Sequence, residues 1–133
     1  MSTFKPTAWL RTNCPYSFKF RIFITEAGIA DHFHIVAMNP DHADFAAKSA
    51  EISRRSGVKT VFPTVEIAPE QFMADSDALI AHYATSLSID PASLPTLDFY
   101  RNGLFVCYTE MFAILATPLG WLARLGRRPK AFR

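Results

Sequence analysis

A small α/β fold, with elements in the order β-α-β-α-β-β-α and a longer helical appendix behind them, is what the 133-residue sequence predicts. Three observations point there. Short extended runs alternate along the chain with stretches whose apolar residues recur at helical spacing. Proline, glycine and acidic residues stand at the joints between the two. Hydrophobic residues make up 50% of the chain, enough for one core in a sequence too short for two ordinary domains.

The first strand is "TAWLRT", Thr7 to Thr12. The period then changes: Phe20, Phe23, Ile24 and Ala27 fall on one helical face that can lie against a sheet. Asn13 can cap this helix, Pro15 suits its first turn because no amide hydrogen is needed there, and Gly28 closes its far end. A second strand, "HFHIVAMN" from His32 to Asn39, is apolar on both faces, as burial on two sides requires. Asn39-Pro40-Asp41 predicts the start of a second helix, which runs to about Ser56 with Arg54 and Arg55 in its last turn and Gly57 beyond. "TVFPTVEI" is a third strand, interrupted by Pro63, which cannot donate to a ladder and so prefers an edge or an irregular position. "QFM" makes a short fourth strand. "DSDALIAHYATSL" makes the next helix, with Asp75, Ser76 and Asp77 at its start and Leu79, Ile80 and Tyr83 on one face. "SLSIDPASLPT" is the one linker-like stretch, and it separates a domain of residues 1–92 from a helical extension of residues 93–133.

In that extension Leu97, Tyr100, Leu104, Cys107, Tyr108, Met111, Ile114 and Leu115 form an apolar stripe too rich for an exposed helix, so it packs on the sheet or joins a second copy in a homodimer. Leu104 to Ala123 carries a single charge and is long enough to cross a bilayer, but Glu110, Thr109 and Pro118 argue against membrane contact. Arg124, Arg127, Arg128 and Lys130 stand among the last ten residues, yet the formal charge is only +2, and neither a phosphate-binding glycine loop nor a cluster of metal ligands is present; nucleic acid and metal are not expected. Two dispersed cysteines and no secretory apolar core at the start predict free thiols and a cytoplasmic location.

Chemistry concentrates at "NCPYSF". A thiol reacts as its anion, and the free amides of a helix start favour that form. Arg11, at the end of the first strand, can add a second positive influence on Cys14. The plain alternative is that Cys14 fills a gap in the core. Cys107, within "LFVCYTE", is expected to be buried.

"RTNCPYS", "TVFPTVEI" and "FMADSDALIAHYA", in this order and spacing over roughly Ala8 to Leu87, resemble the active-site segments of glutaredoxins and of the amino-terminal domains of glutathione transferases. The resemblance implies a thioredoxin-like fold and glutathione as substrate or cosubstrate. It makes Cys14 the catalytic thiol and Tyr16 the ring beside it. Arg11 then approaches the glycyl carboxylate, Phe62 offers its backbone to the cysteinyl part, and Pro63 is the cis-proline. Asp75 and Ser76 receive the γ-glutamyl end. Ser17 stands where dithiol relatives carry a second cysteine, which leaves a monothiol cycle on glutathionylated or other disulfide substrates; Ser17 remains an auxiliary that can hydrogen bond to sulfur. Each residue also has a structural alternative: Arg11 as a solvated base, Tyr16 and Phe62 as cover for the core, Pro63 as a strand breaker, Asp75 and Ser76 as helix caps. Conjugation of glutathione to an electrophile, or a non-catalytic glutathione-binding module, are the competing functions, although the large helical domain usual in transferases has no room in the roughly 35 residues that follow.

Overall fold

A computed structural model describes residues 3–115. Strand β1 (Thr7–Arg11) is followed by helix α1 (Pro15–Glu26), strand β2 (His34–Met38), helix α2 (Phe45–Ser56), strands β3 (Thr64–Ala68) and β4 (Gln71–Ala74) and helix α3 (Ser76–Ser86). The sheet order is β2-β1-β3-β4; β2 runs parallel to β1, β3 antiparallel to β1, and β4 antiparallel to β3. This is the βαβαββα arrangement of a thioredoxin-like fold, with a helical extension added.

Alternation along the strands assigns the two faces of the sheet. Ala8, Leu10 and Val65 point into the main core, where they meet Phe20, Phe23 and Ile24 of α1 and Leu79, Ile80 and Tyr83 of α3. Each large side chain removed from water there contributes roughly 1.5–3 kcal/mol. The other face carries Trp9, stacked on Phe72 at 6.2 Å, and Glu66, which accepts from Arg55 of α2 at 2.7 Å. Edge strand β2 buries Met38, and Phe33 just before it is buried too, but His34 and Ala37 are exposed, so the expected burial on both sides is only partial.

Three predicted boundaries need correction. The Asn39 side chain accepts from the Asp41 amide and closes a turn instead of capping a helix; α2 begins at Phe45 behind Asp44. Strand β3 begins after Pro63, because Thr60 is held to α2 through Ser53 and the Ser49 carbonyl. The N-cap of α1 is Cys14, and Asn13 instead accepts from Arg11 Nε at 2.8 Å. Gly28 and Gly57 do close α1 and α2, both in the left-handed region with φ of 72° and 75° that glycine adopts without penalty.

The stretch after α3 does not behave as a free linker. Leu94 and Leu97 join the main core, and the Glu26 carboxylate accepts from the amides of Thr96 and Leu97 at 2.7 and 2.8 Å, capping helix α4 (Pro95–Phe99) from the end of α1. A π-helical turn, Tyr100–Leu104, then leads into helix α5 (Phe105–Leu115). The wider turn inserts the equivalent of one residue and rotates everything after it. Leu97 and Tyr100 face inward as expected, but beyond the turn the inward positions pass to Phe105 and Thr109, and Leu104, Tyr108, Met111 and Ile114 are exposed. Cys107, expected to be buried, is exposed for the same reason. No helix among the described residues is long and apolar enough to cross a membrane. Pro118, the end of the apolar run from residue 116 to Ala123, and the basic residues Arg124, Arg127, Arg128 and Lys130 lie outside the described residues.

Two buried tyrosines give opposite expectations. Tyr100 donates to the Pro15 carbonyl at 2.6 Å, whereas the buried Tyr83 hydroxyl has no partner among the described residues. Tyr100→Phe should therefore cost about 1–2 kcal/mol in chemical denaturation, while Tyr83→Phe should be neutral or stabilising. Glu26 makes a pH prediction. Burial alone would raise its carboxyl pKa, but the two amides outweigh that and hold it below its ordinary 4.5. A depressed folded pKa gives stability that is present above the unfolded value and lost as pH falls through the folded one. The stability difference between wild type and Glu26→Gln should shrink as pH is lowered from about 6 to about 3, measured by thermal melting.

Candidate functional site

The site lies where the C-terminal end of β1 turns into α1. Cys14 has extended backbone (φ −114°, ψ 120°), and its carbonyl accepts from the Phe18 amide at 3.0 Å, the first bond of the helix. Pro15 occupies the first helical position, so the first amides free at this entrance belong to Tyr16 and Ser17. The Cys14 side chain is half-buried, and its thiol donates to the Phe62 carbonyl at 3.7 Å, just before the Phe62–Pro63 peptide bond, which is cis. That contact has to break before a sulfur anion forms, because a carbonyl oxygen can only accept.

Three elements fix this first turn. From β1, the Arg11 amide donates to Ser17 Oγ at 3.1 Å; Ser17 is 1% exposed, so its oxygen is engaged with the strand. From the loop before β3 comes the Phe62 carbonyl. From the helical extension comes the Tyr100 hydroxyl on the Pro15 carbonyl. Burial, with smaller pushes from Tyr108 and Cys14, raises the Tyr100 pKa to about 12, so this donor keeps its proton throughout the neutral range.

Two depressions open on either side of Cys14. One, about 400 Å³, is lined by Arg11, Cys14, Phe45, Thr60, Phe62 and Ser49, whose buried Oγ makes no hydrogen bond among the described residues. The other, about 220 Å³, lies between Cys14 and α5 and is lined by Arg11, Asn13, Pro15, Tyr16, Thr109 and Phe112. The Arg11 guanidinium stands over the Phe45 ring at 5.9 Å and faces both.

The structure thus gathers Arg11, Cys14, Tyr16 and Phe62, with Pro63 and Ser17 buried behind them. Asp75 and Ser76 line neither depression. Register places them: Thr64 pairs with both Trp9 and Ala74, so Asp75 lies just beyond the same transverse row, two strand spacings or about 10 Å from β1. Asp75 has φ of 79°, uncommon for an L residue, and one carboxylate oxygen caps α3 through the Asp77 and Ala78 amides. Ser76 is 2% exposed.

Lys19 has no local signature in the chain. Its ammonium is buried, stands 3.9 Å above the Phe105 ring and pairs with Asp77 at 3.1 Å; Asp77 also takes Arg101 of the π-helical turn at 2.9 Å. Burial would raise the Asp77 pKa, but Arg101 and Lys19 outweigh it and hold the carboxyl below its ordinary range. Thr109 and Phe112 were also missed, because an unbroken 3.6-residue period sends Cys107 and Met111 inward in their place. Among the described residues, no group of three or more His, Cys, Asp or Glu side chains could hold a metal ion.

No protein-family model and no curated protein matches the chain. Among solved structures it is similar to oxidized glutaredoxin 2 from Chlamydomonas reinhardtii, with 22% identity and a TM-score of 0.48, over 70% of this chain and 78% of that one. The thioredoxin-like assignment rests on the strand order and register described above.

Proposed function

We propose that the chain is a glutathione-dependent monothiol oxidoreductase that reduces glutathione mixed disulfides. The observation that carries this is the Cys14 sulfur, partly open to solvent at the start of α1 and set between two depressions against the peptide that precedes a cis-proline. Ser17 leaves no second thiol three residues on, and Cys107 sits on the outward side of α5, so a single sulfur performs the cycle.

Cys14 thiolate attacks the glutathione sulfur of a mixed disulfide. A Cys14–glutathione bond forms, the original S–S bond breaks, and the substrate thiolate leaves with the bonding pair and takes a proton from water. A second glutathione thiolate then attacks the glutathione sulfur held on Cys14, which releases oxidised glutathione and restores the Cys14 thiolate. Each turnover consumes one free glutathione thiol: the substrate sulfur is reduced to a thiol, and the disulfide it shared with glutathione becomes the disulfide of oxidised glutathione. The free amides of Tyr16 and Ser17 at the helix start favour the anionic form of Cys14. Arg11 is the cation available to a glutathione carboxylate, and Phe62 offers backbone to the peptide. Three extended residues span roughly 10 Å, the separation between β1 and Asp75, so one tripeptide can touch Cys14 and reach Asp75 and Ser76.

The deciding assay is glutathione-coupled reduction of a small glutathione mixed disulfide, run beside conjugation of glutathione to an electrophile. Conjugation without exchange would replace this function with a transferase one; binding without either would leave a module. Cys14→Ser should reduce exchange to background while glutathione affinity stays within about threefold, and mass spectrometry of the stalled wild type should find one glutathionyl group on Cys14. Cys107→Ser should leave turnover unchanged.

A further inference from the structure

We propose that the free edge of β2, together with the slot between it and α1, binds an extended segment of another protein as an added strand, and that this segment carries one apolar side chain between acidic ones. The inference is independent of the exchange reaction proposed above.

The bonds that β2 makes to β1 fix which way its backbone faces. The His34 amide donates to the Pro6 carbonyl at 2.8 Å, and the Met38 carbonyl accepts from the Thr12 amide at 3.1 Å. In a parallel ladder alternate residues address the neighbouring strand, so His34, Val36 and Met38 serve β1, and the N–H and C=O groups of Ile35 and Ala37 point outward. Because β2 ends the sheet, no strand among the described residues takes them. Edge strands are commonly blunted by lysine, proline, an inward charge or a bulge; "HIVAM" has none of these.

The slot decides which side chain the segment brings. Ile35 and Ala37 pair with Ala8 and Leu10, so their side chains lie on the face that α1 covers. There Leu10, Phe18, Ile35 and Ala37 wall a slot of about 190 Å³, and Ser17 Oγ beside it already accepts from the Arg11 amide. An added strand sets alternate side chains on this same face, and the small Ala37 leaves room for one of them. An apolar cavity of about 150 Å³ holds benzene, so one leucine-sized side chain fits.

Charge decides its neighbours. Arg21 lines the slot from α1, is exposed, and has neither ion pair nor hydrogen bond among the described residues. The Arg11 side chain leaves by the opposite face, over Phe45, so at the slot Arg21 supplies the charge. A glutamate two residues from the apolar one lies on the same face, roughly 7 Å along the strand, and reaches that guanidinium. A second copy paired through the same edge would bring two Arg21 side chains to one face with no acid lining either slot, and like charges oppose that.

The test uses the full chain and a fluorescein-labelled seven-residue peptide, with leucine at its centre, glutamate two residues to either side and threonine elsewhere. Anisotropy should show saturation below about 1 mM. At saturation, amide hydrogen exchange at Ile35 and Ala37 should slow by about fivefold or more, while Val36 changes by less than about twofold. N-methylation of the peptide at alternate residues should abolish binding for one of the two sets and leave it within about threefold for the other, because only one set donates to β2. Arg21→Glu, an exposed change outside the core, should weaken binding about tenfold, and a peptide with lysine in place of glutamate should recover most of that loss. No saturation, or equal tolerance of both methylated sets, overturns the added strand. Affinity that Arg21→Glu leaves unchanged overturns the acidic partner. Concentration-dependent dimerisation of the free chain that protects Ile35 and Ala37 overturns the partner segment in favour of a second copy.

Discussion

The first turn of α1 is the constraint on which the rest depends. Its residues adjoin the Cys14 thiol, and each contact that fixes them arrives from a different part of the fold: the Arg11 amide from β1, the Phe62 carbonyl from the loop before β3, the Tyr100 hydroxyl from the helical extension. A nucleophile misplaced by about 1 Å can lose a hundredfold in rate, so such over-determination is chemically useful. It also makes the extension part of the site. Without Tyr100 the Pro15 carbonyl would lose the bond that ties this turn to the extension, and without α5 the smaller depression would have one wall.

The charges near this turn follow the same logic. A lysine as buried as Lys19 is costly unless its ammonium finds partners. The partners come from α3, as Asp77, and from α5, as the Phe105 ring, so one cation on α1 holds two elements, which Arg101 of the π-helical turn also joins through Asp77. Glu26, at the other end of α1, holds α4 by its amides. Helix α1 is thereby gripped at both ends by the residues that follow α3. The sequence separations of 58 and 70 residues explain why these pairings leave no local trace.

What was legible in the sequence was whatever local sterics and period decide. The strands, α1, the end of α2 at Gly57 and the acidic start of α3 all follow from alternation, helical spacing and the behaviour of proline and glycine. Cys14, Arg11, Tyr16 and Phe62 converge because they flank adjacent strand ends. The start of α2 failed where two uses of the same residues compete: Asn39-Pro40-Asp41 suits a helix cap, and it suits equally the Asx turn that forms. Cys107 failed for a different reason. Counting at 3.6 residues per turn assumes one unbroken helix, and the π-helical turn moves the count by one residue. Gly103 was the only local hint, too weak to place a rotation.

That rotation does more than correct a burial pattern. In an unbroken helix Leu104, Cys107 and Met111 would face the Cys14 end of α1, and a second thiol would stand near the first. The π-helical turn sends Cys107 outward and brings Thr109 and Phe112 to the depression, so the wall near the sulfur is carbon with its one hydroxyl already spent. A neighbouring thiol could resolve a mixed disulfide within the chain; a carbon wall cannot, so the proposed exchange would draw its second thiol from solution. In the exchange proposed above, the single wide turn between Tyr100 and Leu104 would therefore link the geometry of packing to the stoichiometry of the chemistry: with Cys107 turned outward, a second glutathione completes the cycle.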